Sequence, residues 1–161
     1  MFRWEGRRTV TVIAWDGKHM AGDRRRTVGG TPMPATKVRR WRTRDGTFLV
    51  GCAGDSFDCE RFHDWFKSGC EGERPVATSL FALVVDSRLR CWFYAEKPGY
   101  HEITLPFFAI GSGADYAVGA MAKGASASEA ASIACRFDIG CGDGVDTVCI
   151  DATTVDSFLT E

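Results

Sequence analysis

The sequence predicts an α+β domain: mostly antiparallel strands in two sheets packed face to face, with the helices outside them. Three observations carry this. The elements read in the order strands, helix, strands, two helices, strands, which is not the alternating βαβ order of a parallel sheet. Two Asp-Gly pairs, Asp16-Gly17 and Asp45-Gly46, sit between β-rich runs and mark tight turns. A chain of 161 residues with 45% hydrophobic content is long enough to bury one real core and too short to need a second.

Each element has a local reason. Thr9 to Trp15 alternates and is rich in β-branched residues, the pattern of a half-buried strand. Asp16-Gly17 returns the chain along Lys18 to Gly22. Thr36 to Arg42 alternates again, and Asp45-Gly46 leads into Phe48 to Ala53, an apolar run that reads as a buried strand. Asp55 or Ser56 caps a helix running to about Lys67, with Cys59, Phe62 and Phe66 as its buried stripe and Gly69 as its end. Leu80 to Val85 and Leu89 to Ala95 form a strand pair. Phe107 to Ile110 is a short strand feeding Gly111-Ser112-Gly113. Two Ala-rich helices follow, over about Ala114 to Lys123 and Ala127 to Arg136, the second capped by Ser126 or Ser128. Val145 to Ile150 is a strand, and Val155 to Leu159 a further short one.

Composition narrows the function. No apolar stretch is long enough to span a membrane, and the first ten residues carry Glu5 and lack the apolar run of a secretion signal. Seven cysteines, an odd number without CxxC spacing, read as small buried hydrophobes in a reducing compartment, hence a cytoplasmic protein. The histidines, His19, His63 and His101, are scattered, so neither a metal nor another cofactor is expected. Charge is uneven: residues 1–50 carry a net +8 and residues 51–161 a net −9. A basic half is compatible with nucleic-acid binding, but the arginines lie on short strands and turns without aromatic interleaving. A solvated face or an acidic neighbouring subunit accounts for them equally, and no nucleic-acid partner is expected.

Three features along the chain carry chemistry: Thr11 in TVIAWDG, Asp23 ending the first hairpin in AGD, and Lys37 inside a strand in ATKVRR. On neighbouring strands of one sheet they converge at a strand end. A threonine hydroxyl is a poor nucleophile until a base takes its proton. On a chain's first residue the α-amino group, with a pKa of about 8, is that base. A lysine beside it lowers the pKa of hydroxyl and amine, and an aspartate keeps the lysine charged and aimed. The Gly51-Cys52-Ala53-Gly54 turn offers a backbone N–H for a tetrahedral oxyanion. Each signal also has an ordinary structural reading: a strand threonine, a turn, a solvent-facing lysine. For Ser112, that reading is a helix-capping turn.

The strings TVIAWDGKHMAGD, ATKVRRW, FLVGCAGDSFDC and FFAIGSGADYAVGAM, in this order and spacing, resemble the proteasome β-type family over about Thr11 to Ile150. The resemblance is to its short bacterial branch, HslV-like proteins and the betaproteobacterial proteasome homologue (BPH). It implies a four-layer αββα sandwich of the N-terminal-nucleophile (Ntn) hydrolase type. It also implies threonine-dependent hydrolysis of peptides or unfolded proteins inside a homo-oligomeric double ring, a dodecamer or tetradecamer, with an AAA+ unfoldase as a possible partner. By the resemblance, Thr11 matches the nucleophile, Asp23 the aspartate that orients the lysine, Lys37 that lysine, and Gly54 the oxyanion glycine. Ser112 matches the serine near the nucleophile's amine and Asp138 a second supporting aspartate. Cys141 stands where many relatives have serine, and Cys52 where the family lines the pocket for the side chain before the scissile bond.

The sequence departs from the pattern at one point. Ten residues precede Thr11, so the chain divides into an extension, 1–10, and a domain, 11–161. Preceded by Val10, Thr11 has an amide nitrogen that is not basic, and self-cleaving relatives carry Gly at that position. Three explanations stand. Val10 is the true start codon, with Glu5-Gly6-Arg7-Arg8 a translated ribosome-binding sequence, and methionine removal exposes Thr11. Alternatively the extension is a propeptide, or the protein is a catalytically silent ring subunit. Thr9 is a rival nucleophile on the same strand face, but Thr11 keeps the family's distance to Asp16-Gly17.

Overall fold

The structure, a computed structural model, describes residues 10–151. Thr9, the extension before Val10, and the expected strand at Val155 to Leu159 lie outside the described residues.

The first sheet forms around the hairpin of β1 (Ile13–Trp15) and β2 (His19–Asp23). Asp16 builds its turn: one carboxylate oxygen accepts from the N–H groups of Lys18 (2.9 Å) and His19 (2.7 Å), the other from Ala127 N (2.9 Å). β10 (Phe108–Ile110) pairs with β1, and β11 (Val145–Cys149) with β2, both antiparallel. The second sheet is an antiparallel meander of β5 (Val38–Thr43), β6 (Gly46–Gly54), β7 (Leu80–Val85), β8 (Cys91–Ala95) and β9 (Tyr100–Ile103). Between the sheets in sequence lies a separate hairpin, β3 (Arg25–Val28) and β4 (Thr31–Pro34).

The period-2 alternation of the strands distributes their side chains among three apolar clusters. Val12, Ala14 and Ala21 pack with Ala117 of α2 (Ala114–Ala122) and with Ala130, Ala131 and Ala134 of α3 (Ala127–Phe137). The small side chains let both helices approach the sheet closely. Ile13, Trp15 and Met20 pack instead with Val38, Leu49, Leu83 and Val85 of the second sheet. The alternate β6–β7 residues Val50, Cys52, Leu80, Ala82 and Val84 cluster with Phe62 and Phe66 of α1 (Ser56–Lys67).

The sequence-based boundaries hold closely for α1, β7 and the two later helices. Asp55 caps α1, accepting from Phe57 N and Asp58 N, and Ser126 caps α3. β1 is shorter than expected, beginning at Ile13 because Thr11 and Val12 turn away to other partners. The β3–β4 hairpin and the edge strand β9 were not expected. Among the described residues no helix is long and apolar enough to cross a membrane.

Candidate active site

Asp23 ends β2 with no solvent exposure, and three backbone N–H groups hold its carboxylate. Val12 N donates to Oδ1 at 3.1 Å; Arg25 N and Gly142 N donate to Oδ2 at 3.1 and 3.2 Å. These donors come from three separate segments, so the carboxylate fixes where they meet. Lys37, just before β5, stands at the second sheet, not on the sheet of Asp23 as expected; it reaches the same carboxylate across the two sheets, its Nζ lying 3.0 and 3.1 Å from the two oxygens. The lysine side chain is 11% exposed. A cation this poorly hydrated is held in place by its counter-ion.

Lys37 Nζ also donates to Thr11 Oγ1 at 2.9 Å. Thr11 is nearly buried, and its position is set from behind. Its carbonyl accepts from Gly113 N at 3.1 Å. Gly111, at φ +95°, lies so close to that carbonyl that a Cβ would stand 2.1 Å from the oxygen. Thr11 N donates to Ser112 Oγ at 3.2 Å. The turn before α2 therefore clamps both polar backbone groups of Thr11. With Val10 attached, the Thr11 hydroxyl donates to the Val10 carbonyl at 2.7 Å, and Lys37 donates to that carbonyl at 3.0 Å.

Thr11, Asp23, Lys37 and Ser112 are thus brought into one hydrogen-bonded group. Gly54 and Cys52, at the end of β6, line a cavity of about 220 Å³ together with Thr11 and Lys37. Gly54 has φ +125°, and a Cβ there would stand 2.2 Å from the Ser79 carbonyl, so no other residue fits without displacing β7. Asp138, the residue capping α3 at its C-terminal end, makes no hydrogen bond to this group. Its Oδ1 accepts from Gly140 N at 2.9 Å, while Oδ2 is buried without a partner. It lines a second cavity with Val10 and Ser112. Cys141 is buried among the small side chains of Gly113, Val12 and Ala134. Burial pushes its thiol far above the usual range, so it stays protonated.

The 220 Å³ cavity includes residues that sequence reasoning missed. Arg26 of β3, and Glu60 and His63 of α1, line it beside Cys52 and Cys59. Arg39 holds Glu60 in a bidentate pair, and Arg26 Nη2 donates to Glu60 Oε1 at 3.2 Å. Glu60 is consequently held below the usual carboxylate range, chiefly by Arg39. His63 is almost fully buried, and burial first, then Arg39, lowers its pKa to about 3. One signal for His63 was available: it lies four residues after Cys59, on the face expected to be buried. Among the described residues, no three His, Cys, Asp or Glu side chains form a metal-binding group.

No protein-family model matches the chain, and no curated protein matches it in sequence. Solved structures do match. Eukaryotic HslV from Trypanosoma brucei superposes with a TM-score of 0.61 at 18% identity, covering 86% of this chain and 97% of that one. Anbu from Hyphomicrobium sp. strain MC1 superposes with a TM-score of 0.66 at 14% identity, covering 89% of this chain and 84% of that one. The chain shares the fold of these two proteins, in agreement with the resemblance carried by its motifs.

Proposed function

We propose that this chain is the subunit of a threonine-type peptidase in which Thr11 is the nucleophile. The observation that carries the reading is the placement of Lys37 Nζ 2.9 Å from Thr11 Oγ1 while Asp23, fully buried, holds the ammonium. Two further features support it: Gly54 on the same cavity and the fold shared with HslV and Anbu. Three apolar clusters, helix–sheet, sheet–sheet and sheet–helix, support reading the domain as a four-layer αββα sandwich.

In the proposed reaction the chain begins at Thr11, residues 1–10 being either removed or not translated. The free α-amine accepts the hydroxyl proton as Oγ1 attacks the substrate carbonyl carbon. Lys37 lowers the cost of the alkoxide, and the Gly54 N–H receives the oxyanion. Collapse of the tetrahedral adduct breaks the C–N bond. The ammonium returns its proton to the leaving amine, and an ester to Thr11 remains. The same amine then deprotonates a water, which hydrolyses the ester and restores the hydroxyl. Ser112, already bonded to Thr11 N, orients the amine, and Cys52 lines the pocket for the residue before the scissile bond; a supporting role for Asp138 rests on the resemblance alone. The particle is a cytosolic homo-oligomeric double ring acting on peptides or unfolded proteins, with an AAA+ unfoldase as a possible docking partner.

The test is labelling of the native protein by a peptide epoxyketone, which bridges the hydroxyl and amine of a terminal threonine. Thr11→Ala abolishes the adduct; undiminished labelling overturns the assignment. One observation favours a second reading, a catalytically silent ring subunit. With Val10 attached, the hydroxyl proton is directed to the Val10 carbonyl and not to a base. The intact mass of the native protein separates the two: a chain starting at Thr11 supports the peptidase, and a retained Met1 supports the silent subunit.

A further inference from the structure

The wall of the cavity next to Thr11 contains a charged group with one guanidinium in excess. The charged groups lining or flanking it are Arg25, Arg26, Lys37, Arg39, Asp55 and Glu60. Most are committed elsewhere. Arg25 pairs with Asp143 and donates to the Ile139 carbonyl. Lys37 is held by Asp23, and Asp55 caps α1. What remains is Arg26, Arg39 and Glu60, two guanidiniums sharing one carboxylate, with a net charge of one plus. Arg39 spends its fork on Glu60 and its Nε on the Thr36 carbonyl. Arg26 makes a single hydrogen bond through Nη2, so its Nε and Nη1 donors have no partner among the described residues.

A second, independent feature points the same way. His63 Nδ1 accepts from Trp41 Nε1 at 3.1 Å, which leaves the proton on Nε2. That N–H is buried on the cavity side of α1 and meets no hydrogen-bond partner. The Lys37 carbonyl approaches this ring and favours its protonated form, but it is already engaged by Cys52 N at 3.2 Å and leaves Nε2 without a well-formed hydrogen bond. The remaining deep polar groups offer no negative charge, because burial and the neighbouring Cys59 keep the Cys52 thiol protonated. The Arg26–Arg39–Glu60 group therefore has one guanidinium in excess and unused Arg26 donors, while the exposed carboxylate of Asp55 supplies the other negative charge of the wall. A partly exposed guanidinium with unused donors and a buried N–H without an acceptor favour a ligand that supplies acceptor oxygens.

We propose that this cavity selects a carboxylate side chain, Glu or Asp, at the substrate residue before the scissile bond, with Arg26 as the residue that reads its charge. The proposal rests on the peptidase reading for the identity of the pocket, but its chemistry is testable without catalysis.

The experiment measures binding of acetyl-Ala-Ala-X amides, with X as Glu, Gln, Leu or Arg, to the full chain carrying Thr11→Ala. The Glu peptide binds at least about tenfold more tightly than the Gln and Leu peptides, the usual scale for one charge-assisted contact. Arg26→Gln in the same background removes that advantage. Glu60→Gln strengthens Glu-peptide binding, since it releases both guanidiniums. A purely structural ion-pair network would weaken binding of every peptide instead. A preference for Leu or Arg, a ranking untouched by Arg26→Gln, or no measurable binding of any peptide at millimolar concentration overturns the proposal. Failure of the peptidase reading looks different: the Glu preference in binding persists while a chain beginning at Thr11 hydrolyses none of the four.

Discussion

Asp23 concentrates polar constraints on a single carboxylate. It satisfies three backbone N–H groups and one ammonium while having no contact with water. Asp23→Ala takes the acceptor from three backbone N–H groups and the counter-ion from the Lys37 ammonium. We expect a loss of about 3–5 kcal/mol in denaturant unfolding, the range for breaking a buried pair from one side, together with loss of epoxyketone labelling as Lys37 drifts. His63 gives a prediction of opposite character. Its folded pKa, about 3, lies below the ordinary histidine value, so the unfolded chain binds a proton that the folded one refuses. Stability from this ring is fully present above about pH 6.5 and falls with acidification, by up to about 1.4 kcal/mol per pH unit between about pH 6 and 4. Unfolding curves across that interval show the slope, and His63→Gln flattens it; an unchanged slope refutes the assignment. The lowered pKa of Asp58 adds acid sensitivity in the same direction. Burial alone raises its pKa, but the Ser79 and Thr78 N–H groups and Arg61 outweigh it.

At the scale of elements, the end of β6 is the least tolerant segment. Gly54 pairs with Leu80 across the ladder, and Asp55 N donates to the Ser79 carbonyl at 2.9 Å, the oxygen a Cβ at position 54 would strike. Gly54→Ala combines left-handed strain with a backbone clash, and we expect a loss of about 2–4 kcal/mol. Thermal melting checks the stability, and labelling should fall with it because the proposed oxyanion donor, the Gly54 N–H, moves. The strands and helices legible in the sequence are those with a buried face. α1 announces itself through Asp55 and the Phe62–Phe66 stripe, and β7 through a continuous apolar run. The β3–β4 hairpin was illegible because β4 is exposed throughout and interrupted by Pro32 and Pro34, so no alternation marks it. β9, at the edge of the second sheet, fails for a related reason: its first three residues face solvent. The same logic divides the site. Thr11, Asp23 and Lys37 were readable because motif spacing fixes them. Arg26, Glu60 and His63 each resemble ordinary polar residues until folding brings β3 against α1.

Across the whole molecule, the basic first third and the acidic remainder meet. Arg24 pairs with Asp146, Arg25 with Asp143, and Arg26 and Arg39 with Glu60. Much of the positive charge in residues 1–50 is therefore spent within the fold, not displayed as a phosphate-binding face. We expect no retention on duplex DNA at physiological salt; steeply salt-dependent binding would revive the nucleic-acid reading. Native mass spectrometry tests the assembly: the proposed double ring requires a dodecamer or tetradecamer, and a stable monomer contradicts it. Finally, the carbonyl of residue 11, seated between Gly111 and Gly113, has a consequence for maturation. The anchor lies downstream of the bond to Val10, in the turn before α2. Loss of the leader would subtract one acceptor from Lys37 and vacate a small space, while the threonine stays where it was. On the proposed peptidase reading, the site is assembled ahead of activation, and only the bond between Val10 and Thr11 has to change.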